Sequence, residues 1–168
     1  MSISDNIERC WVDLGADPTF IPEGFEVVKH LRGGFVEWHP NKSKIRLYIT
    51  HGQASGTLVG EKVLAELSAY DGIPVNANAL DYFLENAENR PWVIPEEWKS
   101  VEHYKSKHIL FWGTIYRFEG ALCVRSLNWS EDIREQHWKP GYCWLDSILN
   151  SQFPAAMLPT ASLKDQSR

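Results

Sequence analysis

The chain has 168 residues, 43% of them hydrophobic and 23% charged, with a formal net charge of −5 and eight tryptophans. That length suits one folded domain with enough core to need no disulfide or metal staple, and the negative balance argues against a dedicated nucleic-acid binder. No apolar run approaches the length needed to cross a bilayer, and the opening MSISDNIERCWVDLG has no basic segment leading into an apolar one, so neither a membrane partner nor a secretory leader is expected.

In chain order, Ser4-Asp5-Asn6 supplies helix-capping chemistry, and Ile7, Cys10, Trp11 and Leu14 follow at helical spacing, which predicts an N-terminal helix ended by Gly15. FEVVKHL (25–31), FVEW (35–38) and KIRLYIT (44–50) read as three strands, joined by Arg32-Gly33-Gly34 and by His39-Pro40-Asn41-Lys42 into a meander. HGQASGTLVG (51–60) reads as a glycine-rich loop that lacks the ending of a phosphate loop and the spacing of a dinucleotide site. A helix follows, with Val63, Leu64, Leu67 and Tyr70 on one face. A second, capped by Asn76 or Asn78, carries Leu80, Phe83, Leu84 and Ala87 on its stripe. IPEEWK (94–99) predicts one helical turn anchored by Trp98.

FWGTIYRFEGALCVRSLNW (111–129) reads as a hairpin turning at Glu119-Gly120, with a third strand around 142–145 after a polar connection at 130–136. The expected fold is therefore α+β: an antiparallel sheet of two three-stranded meanders with two to three helices on one side. One domain is expected over residues 1–158, with an N-terminal helix and meander (1–50), a helical middle (51–99) and a C-terminal meander (100–158). Residues 159–168 are expected to form a flexible tail. The helical middle is acidic, with 2 basic against 8 acidic residues over 51–98.

Strict alternation along the hairpin sorts its side chains into two faces. Ile109, Phe111, Gly113, Ile115, Leu122 and Val124 form an apolar core face. Leu110, Trp112, Thr114, Tyr116, Cys123, Arg125, Leu127 and Trp129 form a second face rich in rings, which Trp138 and Trp144 extend. Aromatic residues with arginine make binding hot spots, so Trp112, Tyr116, Arg125, Trp129, Trp138 and Trp144 are the candidate binding residues, set against the alternative that a helix covers this face.

The string formed by Glu37-Trp38-His39-Pro40, Gly52-Gln53, NANALDY (76–82), IPEEWK and FWGTIYR (111–117) resembles a set of uncharacterised bacterial proteins, over roughly residues 36–157. The resemblance implies a bacterial or phage-borne protein and supplies no activity to carry over. The turn Phe118-Glu119-Gly120 departs from that set, where a more polar turn is usual.

Chemistry beyond binding has little to stand on. His103, His108, His137, Cys123 and Cys143 have no metal-ligand spacing, and no cofactor is expected. The three cysteines, Cys10 included, fit reduced thiols of a cytoplasmic protein; Cys143 near His137, or Cys123 beside Tyr116, would be the nucleophile candidates. Asp81, Glu85, Glu96 and Glu97 are the carboxylates available to a hydrolase, with Asp81 and Glu85 expected to be solvated. The sequence points to a small binding protein that captures another protein. A single-stranded nucleic-acid binder, with Lys105, Lys107 and Lys139 beside the same rings, is one alternative, and a hydrolase of unrecognised type is the other.

Overall fold

In the computed structural model, residues 10–39, 44–101, 105–132 and 134–160 are described. Cys10–Asp13 form β1, Glu26–His30 β2, Phe35–Trp38 β3 and Arg46–Tyr48 β4. His51–Ala54 is a short helix, α1, followed by β5 (Leu58–Val59), α2 (Gly60–Ser68), β6 (Gly72–Pro74) and α3 (Ala77–Asn86). Two 3-10 turns, Pro91–Val93 and Glu96–Trp98, lead to β7 (Ser100–Val101), β8 (Lys105–Ser106) and β9 (His108–Leu110). β10 (Thr114–Phe118), β11 (Ala121–Asp132), β12 (Glu135–Trp144), β13 (Ile148–Leu149) and β14 (Ala155–Pro159) complete the order.

The mixture of helices and sheet is as expected, but not the two separate meanders: the N-terminal one is not found, and β10, β11 and β12, which do pair antiparallel in order, belong to a larger sheet. One mixed sheet of eight strands dominates the described residues, ordered β2-β10-β11-β9-β14-β4, with β12 on β11 and β6 on β14. The three strands expected over 25–50, β2, β3 and β4, do not pair with one another: β2 pairs β10, β3 pairs β1 and β4 pairs β14. The β14–β9 contact is parallel. The missed strand β14 (AAMLP) pairs both β4 and β6, and its small and apolar side chains are buried at all but the last position.

The predicted N-terminal helix is also replaced. Cys10 to Asp13 alternate buried and exposed, so Cys10 and Val12 enter the core while Trp11 faces out. The period of two overrides the four-residue spacing of Cys10 and Leu14. The capping residues 4–6 lie outside the described residues, as does most of the predicted connection at 39–42. The glycine-rich stretch begins as α1, which Thr50 and Gln53 close through a reciprocal capping box. The predicted polar connection at 130–136 belongs instead to the paired ends of β11 and β12, whose register runs from Cys123↔Trp144 to Asp132↔Glu135.

Helices lie on both faces of the sheet. Val63 and Leu67 of α2 pack with Leu110, Trp112, Ile115 and Val124 on one face. Leu80 and Phe83 of α3 pack with Trp98, Ile109, Phe111 and Leu127, and Ala77 packs with Tyr116 and Cys123, on the other. Asn76 caps α3, and its amide also donates to Leu14 and Leu31 carbonyls, so one residue ends the preceding turn and ties the helix to the N-terminal segment.

The hairpin turn falls where the sequence places it: Phe118 pairs Ala121, with Glu119 and Gly120 both at positive φ. Further along, Leu110 pairs Ser126 and Ile109 pairs Leu127. Five residues separate Leu110 from Tyr116, but two separate their partners Ser126 and Cys123. The three extra residues bulge around 111–113. Because three is odd, every side chain before the bulge changes face. Leu110 and Trp112 thus join the Val124 face, while Ile109 and Phe111 join the Arg125 face, the reverse of strict alternation.

Gly113 explains the bulge. Its amide donates to the Val75 carbonyl and its own carbonyl accepts from Leu31, so the chain here leaves β11 to bind β2 and the start of α3 instead. A Cβ at Gly113 would lie 2.5 Å from Asn76 N and Pro74 O, closer than atoms pack.

Candidate binding groove

The six candidate residues separate into three places. Trp112 is 1% exposed beneath α2. Tyr116 (0%) and Arg125 (3%) lie under the N-terminal half of α3. Trp129, Trp138 and Trp144 are half-buried, the first two at one end of the α3 face and Trp144 at the other. The ring-rich face is therefore covered in its middle and open at its ends.

What covers the middle is an ion pair. Arg125 Nη1 donates to Asp81 Oδ1 at 2.8 Å, and Thr19 Oγ1 donates to Asp81 Oδ2 at 2.6 Å. Asp81 is 7% exposed, so it is buried where solvation was expected, while Glu85, Glu96 and Glu97 are exposed. Its helix position, one past the Leu80 stripe, turns it toward Arg125 on the sheet below. Asn78 holds the 13–19 segment over the pair, its amide donating to the Asp13, Ala16 and Asp17 carbonyls and its oxygen accepting from Thr19 N. Phe20, still 51% exposed, lies over the guanidinium at 5.1 Å. Burial raises the Tyr116 phenol above its ordinary pKa, an effect the neighbouring guanidinium only partly offsets. This cluster holds α3 to the sheet, and the Asp81 carboxylate is fully used in doing so.

At the turn end of the same face, Phe25 is sandwiched between Phe118 (4.6 Å) and Tyr142 (5.0 Å), with Phe118 next to Trp144 at 6.3 Å. This stack closes the flank of the sheet.

At the opposite end lies a groove of about 610 Å³, between the C-terminal half of α3, the Glu96–Trp98 turn and the far end of β11 and β12. Trp129 and Trp138 are cross-strand partners whose rings meet edge to face, 5.3 Å apart and at 63°. Lys99 Nζ stands 4.0 Å from the Trp129 ring centroid and 2.8 Å from Glu96 Oε1. Leu84, Ala87 and Pro91 supply the apolar wall, and Glu88, Gln136 and His137 line the rim. Two of the six sequence candidates converge here. Lys99 and Glu88 were missed and Glu96 was weighed only as a hydrolase carboxylate, although the three-residue spacing of Glu96 and Lys99 in IPEEWK was a readable sign of a pair.

The catalytic alternatives find no geometry here. Cys143 pairs Val124 while His137 pairs Ser130, which places them six positions apart on one strand. Cys123 does lie opposite Tyr116, but burial pushes its thiol up to about 11, and Cys143 likewise. Among the described residues, no three His, Cys, Asp or Glu side chains are placed to hold one metal ion, and no helix is long and apolar enough to cross a membrane; His103 lies outside those residues. Comparison with protein-family models, with curated proteins and with solved structures gives no match.

Proposed function

We propose that this chain acts by binding, and that it seats a segment of another protein in the Trp129–Trp138 groove. The observation that carries this reading is the groove itself: two half-buried indoles and an apolar wall open to solvent, ringed by charged and amide side chains. Ligand sites have this composition, an apolar floor with a few polar groups at the edge, and tryptophan is the residue type most enriched at binding hot spots.

The nucleic-acid alternative draws less support. A single-strand platform needs unpaired cations beside its rings. Here Glu96 holds Lys99, Glu88 lines the same groove, and Lys107 donates to the Glu97 carbonyl. The hydrolase alternative needs two facing carboxylates free to act; Asp81 is committed to Arg125, and of the two in the groove Glu96 is paired with Lys99.

The test is capture by immobilised wild type and by Trp138→Ala and Trp129→Ala, each first shown by a cooperative melt to be folded at the assay temperature. A protein retained by wild type and released by both variants supports the groove. Equal retention by folded variants sinks it.

A further inference from the structure

Resting on the reading that the groove is where a partner docks, we infer that the residue the partner presents is a lysine or arginine, and that Lys99 is a tethered competitor for that position. The ammonium of Lys99 already shows what the position accepts. It sits over the face of Trp129 at 4.0 Å, with Glu96 at 2.8 Å. A ring face and a carboxylate together are the two groups that recognise a cation, one through its quadrupole and one through its charge.

The rest of the groove extends the same chemistry. Trp138 stands against Trp129 at 63°, which gives the pocket a second aromatic wall, and Glu88 adds a further carboxylate. With Lys99 swung aside, the lining carries Glu88 and Glu96 and, among the described residues, no lysine or arginine. The groove is larger than one lysine side chain requires, and Lys99 reaches in from the end of a 3-10 turn, held by a Glu96 whose side chain is 78% exposed, so the ion pair that keeps it there is a solvent-weakened one. Charge complementarity agrees, because the segment that builds one wall belongs to the acidic stretch 51–98, with 2 basic and 8 acidic residues. A basic segment meets an attractive field there and an acidic one is repelled.

The experiment titrates the full chain with four blocked pentapeptides that differ only in a central Arg, Lys, Leu or Glu, followed by NMR of the indole N–H signals. The Arg and Lys peptides are expected to shift the Trp129 and Trp138 signals, the Glu peptide to leave them unmoved. Lys99→Met is expected to tighten Arg-peptide binding about three- to tenfold, Glu96→Gln to weaken it, and raising salt from 0.05 to 0.5 M to weaken it too. If the Leu peptide binds as tightly as the Arg peptide, or Lys99→Met leaves the Arg peptide unaffected, the cation inference is overturned while the groove reading survives. If no peptide moves either indole signal, both fall.

Discussion

Arg125 and Asp81 lie 44 residues apart in the chain and 2.8 Å apart in the fold, on the sheet and on the helix that covers it. Removing one partner strands a charge in a place where water cannot reach it. Asp81→Ala is expected to destabilise the protein by about 3–5 kcal/mol, and the double variant Asp81→Leu/Arg125→Met to recover most of that loss. Urea denaturation of the three proteins measures both. A double variant no better than the single one would show that the pair does more than satisfy two charges.

Beside that pair, the Tyr116 hydroxyl is buried next to the Arg125 guanidinium but makes no hydrogen bond of good geometry among the described residues. Tyr116→Phe keeps the ring and deletes the poorly partnered oxygen. Its expected effect is neutral or stabilising, by at most about 1 kcal/mol, in the same urea assay. A loss of more than that would mean the hydroxyl has a partner in solution.

The two buried tryptophan classes should separate on truncation. Trp112→Ala opens a cavity beneath α2 and is expected to cost about 3–5 kcal/mol. Trp138→Ala, at the half-exposed groove, should cost clearly less. Thermal melts of the two variants side by side decide this, and equal losses would place Trp138 in the core.

Glycine positions offer a sharper contrast. Gly113→Ala puts a methyl group 2.5 Å from backbone atoms of Pro74 and Asn76, and the bulge must break to admit it. A loss of more than about 3 kcal/mol is expected, at the exceptional end for point substitutions. Gly120 has nothing within 4 Å of its would-be Cβ and differs only in its φ of 82°. Gly120→Asn should therefore cost less than about 1 kcal/mol, since asparagine tolerates that backbone.

Alkaline pH should unfold the protein earlier than its surface charge alone would. Burial raises the thiols of Cys123 and Cys143 from 9.0 to about 11. The folded state keeps their protons where the unfolded state releases them, so this stability is whole below pH 9 and is lost as pH climbs toward 11. Melting temperature against pH checks it, and Cys143→Ala should flatten the fall. At pH 8 only about one thousandth of each thiol is ionised, so labelling by iodoacetamide should wait on unfolding.

How much of this could be read in the chain varies with the range of the cause. α2, the α3 cap and the Glu119-Gly120 turn follow from neighbours a few residues away; the helix and the turn appear as expected, and of the two asparagines offered for the cap it is Asn76 that serves. The burial of Asp81 depends on an arginine on a distant strand, and no local pattern carries it. The face reversal at Phe111 and Trp112 depends on Gly113 binding Val75, a contact invisible to alternation. β1 was misread because Cys10 and Leu14 suit either period when only a few residues are available. Trp129 and Trp138 could be singled out because aromatic content is visible in a sequence. Lys99 was overlooked because its importance lies in what it leans on.

Strand β14 follows every other described strand in the chain, yet β4 and β6 have no other strand partner among the described residues. A nascent chain stalled before Ala155 would carry Arg46–Tyr48 and Gly72–Pro74 as open edges, with the sheet unable to close around them. Long-range pairing of this kind is slow, and it must wait until β14 itself has been made. Synthesis should therefore lean on holding chaperones until that strand emerges.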